Sequence, residues 1–267
     1  MIKAIAVDMD GTFLDSNKNF DETRFNRIFQ QLQQQETKFI AASGNQYAKL
    51  RSIFGERDMF FIAENGAVIY NGNELYDYTA FDFDVYKTLI DYIHFERGMS
   101  EIIVCGLKSA YILKSTDDKF KKDAHFYYRQ LQEIDSFETL PEDEFVKVAF
   151  NINRQTHPKL DTELEEKFKN DIGLVSSGRD SIDIIIPNMT KGNALKRLLT
   201  KWGLSASQLM AFGDANNDYD MLALAEYSYV MQNSEDQTLF DVSNYVAPSN
   251  DEQGVLTVIE EKVLMNK

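Results

Sequence analysis

Residues 2–7, IKAIAV, form a short run that is apolar on both faces. A strand of that kind has to be covered on both sides, which places it at the centre of a parallel sheet between two layers of helices. Its partners follow directly. Phe25, Ile28, Phe29 and Leu32 recur at helical spacing and predict an amphipathic helix over 21–35, with its glutamine-rich side in water. KFIAASG reads as a second strand, 46–54 as a helix, and FFIAENGAVIY as a third strand with a turn at Asn65-Gly66. Strand alternating with helix predicts an α/β fold with a doubly wound, Rossmann-like parallel-sheet core, in which ligands bind outside the carboxyl ends of the strands.

The pattern changes near residue 80. Tyr86, Leu89, Ile90 and Ile93 suggest a helix, EIIVCG and SAYILK a hairpin, and Phe120 to Leu131 a further helix. The strand VKVAFNI, a helix carrying Leu160, Leu164 and Phe168, and the strands GLVSS and SIDIII complete the segment. Antiparallel strands with helices on one face make a separate α+β unit. From Asn188 the chain returns to helix, strand and helix: Ala194 to Trp202, LMAFG, and Tyr219 to Ala225. The expected organisation is therefore a core in two parts, 1–79 and 187–267, split by an inserted cap domain at 80–186.

Composition narrows the class. The chain has 267 residues, enough for two domains of ordinary size, and is 43% hydrophobic and 27% charged, as globular enzymes are. A net charge of -15 argues against a nucleic-acid surface, which needs clustered Lys and Arg, and leaves room for a bound cation. Cys105 has no partner for an internal disulfide, and His94, His125 and His157 lie too far apart for a zinc signature. The chain opens directly into a strand pattern, and no run of about 18 apolar residues occurs. A cytoplasmic setting without membrane contact is expected.

Four short stretches carry chemistry. In AVDMDGTFLD, residues 6–15, Asp8 and Asp10 end the first strand, and Gly11 bends the chain behind them. A capped turn and a reactive pair are both open readings. MAFGDANNDYDML, residues 210–222, again sets acids between an apolar strand and a helix. It fails as an EF-hand loop, because Tyr219 stands where that loop needs Gly and Ala225 where it needs its closing acid. A helix cap by Asp218 would leave Asp214 and Asn217 unexplained. TKGNAL, residues 190–195, puts Lys191 at a helix start without a Walker glycine loop. There Lys opposes the macrodipole unless an anion lies between. In AASGN, residues 41–45, small residues after a strand let Ser43 and Gly44 approach an anion, although in isolation a plain tight turn is the better reading.

DMDGT, ASG, the Lys of TKGNAL and GDANND match, in order and spacing, the four motifs of the haloacid dehalogenase superfamily, and the insert resembles the cap of its Cof-like branch. The resemblance covers essentially the whole chain, including ENGA at 64–67, IDIIIPNMTKG at 182–192 and NDEQGV at 250–255. It implies that Asp8 is a nucleophile forming an aspartyl-phosphate. It further implies Mg2+ held by the Asp8 and Asp214 carboxylates and the Asp10 carbonyl. Lys191, Ser43, Asn217 and the backbone amides of Met9, Asp10 and Gly44 would cradle the phosphate, with Asp218 orienting Lys191 or a metal-bound water. The Asp10 side chain is then free for proton transfer, and Asp15 is structural. Many relatives carry Arg where Asn45 stands, a departure expected to bear on substrate choice; ASGNQY itself resembles bacterial sugar phosphatases. The cap should close over the site; Ser177 to Asp180, polar and close in sequence to the return toward Lys191, are the first candidates for substrate contacts, although a solvated hairpin turn is the better reading of that stretch alone. The implied function is a magnesium-dependent phosphatase of small phosphorylated metabolites, foremost sugar phosphates, acting as a monomer or small homo-oligomer. Alternatives are a phosphomutase or phosphotransferase, a phosphosugar sensor without catalysis, and a signalling receiver. The last does not explain so long an insert.

Overall fold

The structure is a computed structural model that describes residues 1–176 and 181–264. Strands β1 (Ala4–Val7), β2 (Lys38–Ala42) and β3 (Phe60–Ala63) alternate with helices α1 (Glu22–Gln34) and α2 (Tyr47–Phe54), as the apolar spacing predicts. The chain then doubles back through β4 (Val68–Asn71) and β5 (Glu74–Tyr78), so FFIAENGAVIY is two antiparallel strands. Glu64, Asn65 and Gly66 all have positive φ, and three such residues in a row reverse the direction of the chain.

The inserted segment contributes α3 (Phe83–Ile90), β6 (Ile102–Gly106), β7 (Ala110–Leu113), α4 (Asp118–Tyr127), β8 (Leu131–Ile134), β9 (Phe145–Asn151), α5 (Leu160–Phe168), β10 (Gly173–Ser176) and β11 (Ser181–Ile185). The helix expected to reach Leu131 stops at Tyr127. Tyr128 is extended, and Leu131 opens a strand that pairs in parallel with β7 through Ala110. The chain continues with α6 (Lys191–Trp202), β12 (Leu209–Gly213), α7 (Tyr219–Leu224), β13 (Tyr227–Met231), α8 (Gln237–Val242), β14 (Tyr245–Ala247) and α9 (Gly254–Ile259).

Among the described residues these strands form two sheets, ordered β14-β13-β12-β1-β2-β3-β4-β5 and β10-β11-β9-β6-β7-β8. The first is parallel from β14 to β3, with an antiparallel edge at β4 and β5. Alternation along its strands sends Ile5, Val7, Phe39 and Ala41 to a layer with α1 and α9, and Ala4, Ala6, Ile40 and Ala42 to one with α6 and α7. Leu195, Leu198 and Leu199 of α6 are buried there, each stabilising by about 1.5–3 kcal/mol. That packing, rather than local propensity, fixes where the start of α6 lies.

In the second sheet, Ile102, Val104, Val148, Phe150, Ile182 and Ile184 cover α3 and α5. The alternate positions on β9 and β11, among them Lys147, Ala149, Asn151, Ser181 and Asp183, line a cavity against the first sheet. Among the described residues no helix is long and apolar enough to cross a membrane.

Candidate active site

Strand order reverses at β1: the chain leaves it for β2 on one side and returns to β12 on the other. Such a switch point opens a crevice at the carboxyl ends of the strands. Asp8 follows β1, Ser43 and Gly44 follow β2, and Asp214 follows β12. The Val7 pairing with both Ala41 and Phe212 sets those three ends level.

Lys191 is the first residue of α6, whose N-cap Thr190 accepts a bond from the Asn193 amide. Its ammonium is fully buried and donates to Asp8 Oδ1 at 2.5 Å and to Asp218 Oδ1 at 2.8 Å. The other Asp218 oxygen accepts from the amides of Asp214 and Ala215, at 3.0 and 3.1 Å. Asp218 therefore binds Lys191 to the loop that carries Asp214. Gly213 permits this approach, since a Cβ there would lie 2.4 Å from the Asp218 Cβ. The two carboxylates that Lys191 meets explain why a cation can sit at a helix N-terminus.

Asp8, Asp214 and Asp218 each offer an oxygen within 4.8 Å of the others, three carboxylates against one ammonium. Burial, reinforced by the Asp218 charge and opposed by Lys191, holds the Asp8 carboxyl well above its ordinary range. Burial also raises Asp214, to about 6, although the Thr12 hydroxyl donates to its Oδ1 at 2.6 Å. Burial works to lower the Lys191 ammonium, but Asp218 and Asp8 outweigh it and keep the group charged. This hard, all-oxygen, over-negative donor set fits a divalent cation. Asp218 already gives both oxygens to Lys191 and the backbone, which leaves Asp8 and Asp214 as the carboxylates available to such an ion.

Asp10 stands apart from the cluster. Its side chain is 44% exposed, with Oδ1 2.8 Å from the Lys18 ammonium and Oδ2 accepting from Asn45 Nδ2 at 2.9 Å. Asn45 therefore touches Asp10 as well as lining the cavity. Met9 buries its side chain in the core and can face the site only through its backbone. Ser43 is buried, and its hydroxyl accepts from the Asn45 amide. Ser43, Gly44 and Asn217 line, with Asp8 and Asp10, a cavity of about 780 Å³ roofed by the second sheet and α4. Asp15 accepts from the amides of Asn17 and Asn19 and holds a turn. Ser177 to Asp180 lie outside the described residues.

Several neighbours of the site were not singled out from the sequence. Thr12 holds Asp214, Lys18 holds Asp10, Asn233 donates to the Gly11 carbonyl, and Ser234 to the Asp214 carbonyl. Thr12 sits inside DMDGT, so its neighbourhood to acids was the one available signal. Lys18, Asn233 and Ser234 carry no such pattern.

Residues 5–259 match the family model of haloacid dehalogenase-like hydrolases. A 5-amino-6-(5-phospho-D-ribitylamino)uracil phosphatase of Escherichia coli is 39% identical over 269 residues, covering 100% of this chain and 97% of its own. A Bacillus subtilis phosphatase of the same description is 26% identical over 283 residues, covering 97% and 98%. A crystal structure from Streptococcus mutans superposes with a TM-score of 0.89 at 35% identity, covering 98% of each chain. The acid cluster at the strand ends and these likenesses lead to one conclusion: the chain belongs to the haloacid dehalogenase-like hydrolases, as a phosphatase of small phosphorylated metabolites.

Proposed function

We propose that the chain hydrolyses phosphate monoesters of sugars or sugar alcohols through an aspartyl-phosphate on Asp8, with magnesium as the metal. The observation that carries this is the placing of Asp8, which lines the cavity, against Lys191, 2.5 Å away, with an Asp214 oxygen within 4.8 Å. A carboxylate and a phosphate dianion about 4 Å apart repel by roughly 8 kcal/mol at an effective dielectric near 20. Lys191 offsets part of this, and a divalent ion on Asp8, Asp214 and the Asp10 carbonyl would supply the remaining positive charge.

Asp8 attacks phosphorus in line, and the ester oxygen leaves. Asp10, held by Lys18 and Asn45, gives a proton to the departing alcohol and takes one from the water that then cleaves the acyl phosphate. The Ser43 hydroxyl, the Asn217 side chain and the amides of Met9, Asp10 and Gly44 act as fixed dipoles toward the phosphoryl oxygens. Asp218 keeps Lys191 aimed at Asp8. The segments 1–79 and 187–267 serve as the catalytic core and 80–186 as a cap that excludes water. A monomer or small homo-oligomer in the cytoplasm is the setting we assign.

The two relatives named above act, by their names, on a ribityl phosphate bearing a uracil ring. Phe126 and Tyr127 are exposed and line the same cavity, which supports a leaving group with a planar ring able to stack on them. The test is a phosphate-release screen over ribityl and sugar phosphates, nucleotides and cofactor phosphates, with magnesium and with chelator. Release from polyol phosphates that requires magnesium is expected; equal release in chelator would count against the metal. Transfer to a second sugar instead of water would favour a mutase.

A further inference from the structure

Lys147, on β9 of the cap, is 2% exposed, yet no step of the chemistry uses its charge. Its ammonium donates to the Gly44 carbonyl at 2.8 Å and lies 2.7 Å from Glu64 Oε2 as an ion pair, off-angle for a hydrogen bond. It also lies 3.6 Å from Asp183 on the neighbouring strand β11. Asp183 in turn accepts from Asn65 Nδ2 at 2.8 Å. Two cap side chains thus grip one turn of the core, and all four polar groups are buried.

That turn is bound to the phosphate loop. The amides of Glu64 and Asn65 donate to the carbonyls of Asn45 and Ser43, each at 3.1 Å. A Cβ on Gly44 would meet Asn65 Oδ1 at 2.9 Å, so loop and turn lie flush. Glu64 and Asn65 sit at φ 50 and 56, a conformation that Glu rarely adopts and that persists where surrounding contacts impose it. A second cap contact ends on the same loop, for Gln46 and Gln130 exchange two bonds of 2.9 Å. Burial acts against the Lys147 ammonium, but Asp183 and Glu64 outweigh it and keep it charged.

A buried ion pair is weak evidence of stabilisation, since desolvation offsets most of its attraction. It suits a contact that must open, because water solvates the separated charges when the cap lifts. We propose that Lys147 is a positioning residue that seats the closed cap on residues 43–46, so that Ser43 and Gly44 take up their anion-holding geometry only when the cap is down. The inference rests on the phosphatase reading above.

The test compares the purified wild type with Lys147→Met, Lys147→Arg and Asp183→Asn, in magnesium, with p-nitrophenyl phosphate as substrate and inorganic phosphate as competitive inhibitor. Lys147→Met should raise the inhibition constant of phosphate and lower kcat/KM by about tenfold or more, because small displacements of a binding loop are costly. Lys147→Arg should stay close to wild type, and Asp183→Asn should follow Lys147→Met. An inhibition constant does not depend on the folded fraction, so a purely structural strut would leave it unchanged. A folded Lys147→Met with the wild-type phosphate constant overturns the proposal; should that variant fail to fold, Asp183→Asn decides by the same criterion. Wild-type protein that releases no phosphate from any substrate would instead defeat the phosphatase reading.

Discussion

Asp8 and Asp10 are two residues apart and meet opposite environments: one is buried against Lys191, the other sits half in solvent between Lys18 and Asn45. Their substitutions should therefore fail differently. Asp8→Asn replaces the oxygen proposed to attack and should lower phosphate release by about a thousandfold or more while circular dichroism and Tm report an intact fold. Asp10→Asn should slow both ester cleavage and acyl-phosphate hydrolysis by about 10² to 10⁴, read by pre-steady-state and steady-state rates; an unchanged rate would remove its proton-transfer role. The acids could be picked out in the chain because polar groups directly behind buried strands need a reason, and Lys191 because a cation at a helix start opposes the macrodipole. Thr12 and Asp214 touch across 202 positions, and neither periodicity nor local spacing encodes such a pair.

At the scale of elements, Lys191 and the Asp214 loop are placed by the packing of α6 against α7. A Cβ on Gly192 would lie 2.5 Å from the Asp220 backbone, so Gly192→Ala has to push the two helices apart. A loss of about 1–3 kcal/mol is expected, as for other overpacked sites. Thermal unfolding measures it, and kcat/KM should fall with it because Lys191 moves away from Asp8. The two-sided apolar strands and amphipathic helices of the core could be derived from spacing, since burial on both faces leaves a plain pattern. The antiparallel strands β4 and β5 could not: β5 is largely exposed, and the reversal depends on positive φ at Glu64, which residue type does not announce. Leu131 misled for a related reason, because a lone apolar residue after a helix does not say whether the helix continues. Strands β13 and β14 follow the last motif and carry none of their own.

Across the whole molecule, one over-negative pocket should show in stability as well as rate. Asp8 and Asp214 bind protons more tightly in the folded chain than in the unfolded one, where their carboxyls keep ordinary values. Folding therefore takes up protons, and the metal-free protein should gain Tm as pH falls from about 7.5 to about 5.5. Magnesium, if held by these carboxylates as proposed, would compete with those protons, so its own stabilisation should be largest near the top of that window and shrink toward the bottom. A metal-free Tm that is flat or falling over the same range would show that the carboxylates are already compensated. The most direct trial of the chemistry is acid quenching of Asp10→Asn during turnover with magnesium and substrate, followed by peptide mass mapping. One phosphoryl group on the peptide that carries Asp8, absent when Asp8 is also replaced by Asn, is the expected result. A phosphoryl group on any other residue, or continued turnover after Asp8→Asn, would contradict attack by Asp8.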